Sequence, residues 1–356
     1  MASKEWLLYG ANGYTGELIA RRAVSRGMKP VLAGRSPAKI EALAKELRLE
    51  YRVFGLEDLE TIKKNIRSFS LVLHCAGPFI STSVPMAEAC IAQKVHYLDI
   101  TGEIPVYESL FSLNQSAQEA GILLLPGVGF DIVPTDCVAA ALKKKLPSAS
   151  ELDLAFVGLS EVSPGTMKSA LAQLPYGSKI RKNGELVGVP HLSSSKTISI
   201  KDKTYRVYGI PWGDVFTAYI STGIPNIQVF TDIPEGQVKA MKYLKPFLTI
   251  LKFSPILKLM QFLVGKTVRG PGEETRINVK TRVWGEVRAQ SGKSISLLLE
   301  CKEGYEFTIE SSILAVQKVL NWKGGKGGFR TPSLAFGSDF VLEVSGSKWE
   351  FIERKE

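Results

Sequence analysis

The sequence predicts an α/β protein with a doubly wound parallel sheet in its N-terminal part, followed by a second, α+β domain. Three observations carry this prediction. Residues 6–146 alternate short β-rich runs with amphipathic helical patterns. The first of these runs passes directly into a glycine-rich turn. From about residue 150 the pattern changes to longer strand candidates separated by clusters of Gly, Pro and Ser. The length of 356 residues fits two domains at roughly 150 residues each, and 45% hydrophobic content excludes disorder over most of the chain.

Strands are expected at 6–10 (WLLYG), 30–34 (PVLAG), 50–54 (EYRVF), 71–75 (LVLHC), 95–99 (VHYLD) and 122–126 (ILLLP), the full complement of a doubly wound sheet. The second helix is the best specified locally. Ser36 stands at its N-cap, Pro37 suits its first position, and Ile40, Leu43, Ala44 and Leu47 form one apolar stripe at i, i+3, i+4, i+7. After the sixth strand, Pro134 opens a helix through Ala139–Leu142 whose final lysines, Lys143, Lys144 and Lys145, suit the negative end of the helix dipole and read as a solvated end. In the second domain, 276–290 and 294–301 flank the turn Ser291-Gly292-Lys293 as a hairpin. A further strand at 305–309 (YEFTI) and a helix at about 311–321 complete the pattern, and KGGKGG at 323–328 reads as a loop.

The chain carries 45 Lys and Arg against 35 Asp and Glu, a net charge of +10. The excess is local. Residues 1–150 hold a net +2, whereas 236–282 alone hold ten basic residues against only Glu273 and Glu274. Nucleic acid is therefore an unlikely partner, because the basic excess follows one segment rather than the whole chain. Within that segment, 246–264 (PFLTILKFSPILKLMQFLV) is mostly apolar, yet Lys252, Lys258 and Pro255 oppose a spanning helix. It reads either as helices covering a substrate site or as an interfacial contact with a membrane, and a homodimer surface stays open. Residues 239–282 as a whole suit an acidic carrier protein or a membrane surface.

Cys75, Cys90, Cys137 and Cys301 show no C-x-x-C spacing, so a zinc ribbon, a redox motif and a disulfide framework are disfavoured and a reducing compartment is expected. His74, His96 and His191 form no H-E-x-x-H or i, i+4 pair, so no metal site is expected; His74 and His96 read as strand residues. The N-terminal apolar run is too short for a signal peptide, which gives a cytoplasmic expectation, with the membrane or lipid surface as a peripheral alternative.

The chemistry starts at Gly10-Ala11-Asn12-Gly13-Tyr14-Thr15-Gly16, which follows the first strand and opens a helix. Gly10 permits the tight turn, Gly13 lets backbone amides approach a pyrophosphate, and Gly16 permits close packing of helix on strand. At the end of the second strand an NAD site would need a carboxylate for the ribose hydroxyl. Here stand Gly34-Arg35-Ser36 and then Lys39, with no Asp or Glu from 28 to 40. Arg35, Ser36 and Lys39 suit a 2′-phosphate, so NADP(H) is the expected cofactor. Ala76, Gly77 and Pro78 end strand four, where small residues allow a nucleotide to lie against backbone, and Cys75 beside them reads as a packing thiol. Strand five delivers Asp99, Thr101, Gly102 and Glu103 to the same edge, and strand six delivers Gly127, Gly129 and Asp131. Asp99, Glu103 and Asp131 are the catalytic candidates, each with a loop-ordering role as the alternative. None of the eleven tyrosines has a lysine four positions on, which excludes the short-chain dehydrogenase proton relay, and neither a G-x-S-x-G elbow nor a P-loop occurs.

The runs GANGYTG, AGRSPAKI, CAGPF, HYLDITGE and GVGFDIVPTD resemble the saccharopine dehydrogenase-like NADP-binding family. SPGTMKSAL at 163–171, RVWGEV at 282–287, EGYEFT at 303–308 and GGFRTPSLAFG at 327–337 are similar to its branch of saccharopine-dehydrogenase-like oxidoreductases and trans-acting enoyl reductases. The resemblance implies a Rossmann domain at 1–148 interrupted by an α+β substrate or dimerisation domain at 149–325, with 326–356 returning to the Rossmann half. It implies that Gly10, Gly13, Tyr14, Thr15, Gly16, Arg35, Ser36, Ala76, Gly77 and Pro78 hold the cofactor, and that Asp99, Thr101, Gly102, Glu103 and Asp131 lie near the nicotinamide.

The expected function is NADPH-dependent reduction of a hydrophobic, enoyl- or acyl-type substrate, free or carrier-bound, held between the domains. A reductase whose hydride acceptor is activated by its own thioester needs little acid catalysis, which fits a chain without an evident His or Tyr–Lys centre. Two alternatives stay open. One is carbon–nitrogen reduction of the saccharopine type, for which Arg181, Lys182, Arg206 and Arg276 are the available carboxylate clamps. The other is an NADP-binding lipid-surface protein without turnover.

Overall fold

The computed structural model describes residues 5–323 and 325–353; Gly324, inside the loop expected at 323–328, lies outside the described residues. The chain divides into two compact units, Met1–Val133 with Tyr305–Phe336, and Pro134–Gly304 with Gly337–Glu356.

The first unit begins β1 (Trp6–Tyr9), α1 (Tyr14–Ser25), β2 (Val31–Gly34), α2 (Pro37–Leu47), β3 (Tyr51–Val53), α3 (Leu59–Ile66), β4 (Leu71–His74), α4 (Phe79–Gln93), β5 (His96–Asp99), α5 (Ile104–Ser112), α6 (Asn114–Ala120), β6 (Leu123–Leu125). All six expected strands form, in the parallel order β6-β5-β4-β1-β2-β3, and a two-residue strand at Gly328–Phe329 adds a seventh beside β6. Central strands carry apolar residues on both faces because helices cover both; Leu7, Leu8, Leu32, Leu71, Val72 and Leu73 are fully buried. Strand order reverses between β1 and β4, and such a reversal opens a crevice beyond the carboxyl ends of the two strands. Ile40, Leu43 and Ala44 of α2 are buried as the stripe requires, but the Ser36 side chain makes no capping hydrogen bond. With its φ preset, Pro37 at the first position starts the helix without that bond.

The chain continues through α7 (Val133–Lys145), β7 (Ala149–Val157), α8 (Pro164–Gln173), β8 (Ser178–Lys182), β9 (Glu185–Val189), β10 (Ser195–Ile200), β11 (Lys203–Gly209), α9 (Asp214–Thr222), β12 (Asn226–Asp232), α10 (Glu235–Leu244), α11 (Ser254–Thr267), α12 (Glu273–Asn278), β13 (Lys280–Ala289) and β14 (Ser294–Lys302). Then follow α13 (Gly304–Leu320), β15 (Gly328–Phe329), α14 (Pro332–Phe336), α15 (Phe340–Glu343) and β16 (Lys348–Glu353). The second sheet runs β10-β11-β12-β7-β13-β14-β16, with β8 on β12 and β9 on β8. The β13–β14 hairpin forms around the expected turn, but residues 276–278 end a short helix rather than extending the strand. Among the described residues no helix is long and apolar enough to cross a membrane.

The unit boundaries differ from those expected, for packing reasons. α7 belongs to the second unit from Pro134 onward. Val138 and Leu142 press so closely on β13 that a Cβ on Gly285 would stand 2.6 and 2.8 Å from them. At its end Lys143 donates to the Ala149 carbonyl at 3.2 Å and Lys145 lies 5.3 Å from the Phe351 ring centre, so these lysines serve the second unit's own packing. The return to the first unit starts at Tyr305, not 326, and ends at Phe336, because β16 pairs antiparallel with β14.

The strand expected at 305–309 is absent: Gly304–Leu320 is one helix. Every residue from Glu306 to Ile313 is buried, so the helix shows no polar stripe, and the β-forming run YEFTI dominated the local reading. Its polar side chains are used internally. Glu306 accepts from Arg22 at 2.9 Å, and Glu310 pairs with both Arg22 of α1 and Arg26, which caps its end. Thr308 Oγ1 accepts from the Phe130 amide at 2.9 Å, and Ser311 Oγ donates to the Val128 carbonyl at 2.8 Å. α13 thereby fixes both the helix that follows the glycine loop and the loop that follows β6. Thr308→Val removes the acceptor of a buried amide and is expected to lower unfolding free energy by about 1–3 kcal/mol in urea titrations; a variant as stable as the parent would show that this bond does not hold the loop.

Candidate functional site

The glycine loop is shaped by contacts that leave no room for side chains. Gly10 has φ +81°, and a Cβ there would lie 2.7 Å from the Ala76 amide nitrogen, so the turn after β1 presses against the end of β4. Its amide and that of Ala11 donate to the Ala33 carbonyl at 2.8 and 3.1 Å, tying the loop to β2 as well. A Cβ on Gly16 would stand 2.3 Å from the Gly10 carbonyl oxygen, so glycine alone lets α1 pack this closely on the loop. Gly13 caps α1 without a side chain and is exposed. The amides of Tyr14, Thr15 and Gly16 are the first of the helix, where backbone N–H groups have no partner within the helix and the dipole favours an anion. These residues fit a dinucleotide pyrophosphate. Ala11 is fully buried, a packing position rather than a contact surface.

β2 ends beside this loop. A Cβ on Gly34 would lie 2.8 Å from Asn12 Oδ1, so the two turns touch. Arg35 and Lys39 are exposed and Ser36 is half-buried, all at the start of α2, with no carboxylate between residues 28 and 40. This is the donor set for a phosphate, not for a bare ribose hydroxyl.

The rim across the crevice is built by two carboxylates. Asp99 is fully buried and accepts from the Thr101 amide at 3.0 Å, the Gly127 amide at 2.9 Å and the Tyr97 hydroxyl at 2.7 Å. Burial pushes its carboxyl up to about 6 against the pull of these donors. Its acceptor sites are occupied by the loops after β5 and β6, so it orders backbone. Glu103 reaches back to α4 and accepts from the amides of Phe79 at 3.1 Å and Ile80 at 3.1 Å, capping that helix from 23 and 24 residues away in sequence. Thr101 is buried, its Oγ1 accepting from the Glu103 amide and its carbonyl from the Tyr107 hydroxyl. Of the three catalytic candidates, Asp99 and Glu103 are therefore committed to loop and helix geometry.

Asp131 is different. It is half-buried and lies against Gly102, where a Cβ would stand 2.8 Å from Asp131 Oδ2. Burial first, and then the charge of Glu103, push its carboxyl up to about 7. It is the rim acid whose proton affinity matches neutral pH. Ala76 and Pro78 are half-buried and Gly77 is exposed, at the end of β4 and the cap of α4, so this side of the crevice presents backbone and small side chains.

Other expectations resolve into structure. His74 is fully buried, donates or accepts with Thr82 Oγ1 at 2.9 Å, and is held neutral because burial pushes its pKa down to about 3. Burial likewise pushes the Cys75 thiol up, which removes it as a nucleophile, and all four cysteines are free. The cations considered as a clamp are not brought together. Arg181 is buried, donating to the carbonyls of Val215 and Gly184 and stacking on Tyr219 at 4.1 Å; Lys182 is exposed beside it on β8, Arg206 lies on β11 and Arg276 bonds the Pro271 carbonyl. Sequence reading missed Tyr107, Thr308 and Ser311, which hold the rim loops in place. The i, i+3 spacing of Thr308 and Ser311 and the i, i+4 spacing of Glu306 and Glu310 were the helical signals present in the sequence.

Fold and site together define a two-unit NADP-dependent oxidoreductase. Residues 6–125 match the family described as the saccharopine dehydrogenase NADP binding domain. The chain is 22% identical to a protein of Arabidopsis thaliana provisionally named a mitochondrial saccharopine dehydrogenase-like oxidoreductase, over 98% of this chain and 96% of that protein. It is 28% identical to a Mycobacterium tuberculosis protein provisionally named a trans-acting enoyl reductase, over 38% of this chain and 34% of that one. Among solved structures, the apo L-glutamate-forming saccharopine dehydrogenase of Saccharomyces cerevisiae shares the fold, with a TM-score of 0.64 at 16% identity over 98% of this chain and 100% of that chain. Residues 6–125 thus match that NADP-binding domain, and the chain as a whole is similar to the saccharopine dehydrogenase-like oxidoreductases.

Arg35→Ala is expected to weaken NADPH binding by about 10- to 100-fold, from the loss of charge-assisted hydrogen bonds, while leaving NADH affinity within about twofold. Nucleotide fluorescence titrations check this, and equal losses for both nucleotides would contradict the assignment of Arg35 to the 2′-phosphate.

Proposed function

We propose that this protein reduces a hydrophobic acyl-type substrate, an α,β-unsaturated thioester, at the crevice rim of its nucleotide-binding unit. The observation that carries the reading is Asp131, which lies against Gly102 and whose carboxyl burial and the charge of Glu103 push up to about 7, in a chain with no tyrosine followed by a lysine four positions on. NADPH, when bound, supplies the hydride for the β-carbon. The chain's own residues have four tasks. The amides of Tyr14–Gly16 face the pyrophosphate; Arg35, Ser36 and Lys39 take the 2′-phosphate; Ala76–Pro78 leave space at the end of β4; and Asp131 holds the proton that the α-carbon receives. Asp99 and Glu103 position these parts through backbone. A thioester delocalises the charge that develops on reduction, so one weak acid suffices. The enoyl-reductase name of the mycobacterial relative supports this substrate class. The dispersal of Arg181, Lys182, Arg206 and Arg276, with Arg181 spent on carbonyls, speaks against carbon–nitrogen reduction of a substrate bearing several carboxylates. The free cysteines support a reducing, cytoplasm-like setting.

The sign of the pH dependence follows from the raised carboxyl. Asp131 is protonated below about 7 and loses its proton above, so kcat/KM for NADPH oxidation against a medium-chain enoyl thioester is expected to fall tenfold per pH unit above about 7. Asp131→Asn should lower the rate by about 10²-fold, near the low end for a general acid, and abolish that limb of the profile. A variant with the parent's rate and profile would remove Asp131 from the reaction, and failure of every enoyl thioester to oxidise NADPH would remove the substrate class.

A further inference from the structure

The exposed face of α11 serves neither the fold of the second unit nor the nucleotide chemistry. Its inner face, Leu257, Gln261 and Val264, is half-buried, and Gln261 Nε2 donates to the Lys168 carbonyl of α8 at 3.3 Å. The solvent-facing side presents Ile256, Leu259, Met260 and Leu263 at i, i+3, i+4, i+7, flanked by Phe253 and Phe262. Relative exposures of these six run from 36% for Ile256 to 68% for Phe253, unusual for a contiguous group of large apolar side chains. Lys252, Lys258 and Lys266 are exposed around them, and the chain carries no Asp or Glu between Gly236 and Gly272.

We propose that α11 docks this protein on an anionic lipid membrane, lying in the interface plane with its apolar stripe among the acyl chains and its lysines at the headgroups. The charge pattern selects this occupant. A second copy packed on the same face through a two-fold axis would set lysines against lysines, with no acid in 236–272 to pair with them. An acidic protein would satisfy the lysines but would also need a groove for six bulky side chains on one short helix. An anionic bilayer satisfies both at once, with each lysine near the surface adding about fivefold to the partition coefficient. α11 has 14 residues, fewer than the roughly 20 of a spanning helix, so it lies on the membrane and does not cross it.

The test is flotation of the full chain with vesicles of phosphatidylcholine alone or mixed with phosphatidylserine, with NADPH binding measured in parallel to show that each variant is folded. Expected is binding to the phosphatidylserine vesicles at least about tenfold tighter than to phosphatidylcholine alone. The exposed-face variant Leu259→Asp/Phe262→Asp should lose about tenfold or more, and Lys258→Glu/Lys266→Glu should lose the preference for phosphatidylserine, both with nucleotide binding retained. Three results would overturn the proposal: no flotation with either vesicle, flotation unaffected by both double variants, or a lipid-free dimer in sedimentation velocity that Leu259→Asp/Phe262→Asp dissociates. Binding of an acidic acyl carrier protein that the same variant abolishes, without vesicle binding, would assign the face to that carrier and would equally overturn it.

Discussion

Two buried carboxylates, each accepting backbone amides from loops distant in sequence, are the constraint on which the candidate site depends. Asp99 joins the turn after β5 to the turn after β6 through the Thr101 and Gly127 amides. Glu103 joins the turn after β5 to the start of α4 through the Phe79 and Ile80 amides. Parallel strands cannot be linked by short hairpins, so their carboxyl-end loops have no local reason to stay in register. The carboxylates supply that reason, since a buried acceptor holding two or three donors is costly to undo. The same arrangement places the charge of Glu103 near Asp131, so the scaffold that fixes the rim also contributes to the raised proton affinity of Asp131.

α13 completes the frame from the far end of the chain. Its acids hold Arg22 of α1 and Arg26 at its cap, and its hydroxyls hold the loop carrying Val128 and Phe130. The pairs are partly solvent-exposed on the arginine side, so their worth lies less in net stability than in fixing the axis of α1, whose first amides form the anion site.

Much of this was legible in the sequence where geometry forbids alternatives. Gly10 and Gly16 announce close approaches that only glycine allows, and Arg35-Ser36 without a nearby acid announces a phosphate. The strands of the first sheet were legible because buried parallel strands read as short apolar runs bounded by turns. What stayed hidden depends on contacts far apart in sequence. Glu103 shows nothing locally of the helix it caps 24 residues earlier. Over residues 306–313 α13 is buried on all sides and so loses the amphipathic period that marks a helix, leaving a run that mimics a strand. α7 shows a buried face, yet nothing in Val138 or Leu142 says which sheet they meet, so local pattern puts the unit boundary near 148 where packing puts it at 133. β16 pairs with β14 across some fifty residues, a long-range choice that local pattern does not encode.

The proposed chemistry rests on the protonation of Asp131, whose carboxyl burial and the charge of Glu103 push up to about 7. Its most direct test is a carbon-13 NMR titration of the Asp131 carboxyl in the protein without substrate. A midpoint near 7 is expected, and a lower midpoint in Glu103→Gln because one of the two causes is then removed while burial remains. A midpoint near 4, the range of an ordinary aspartate, or one that Glu103→Gln leaves in place, would contradict it.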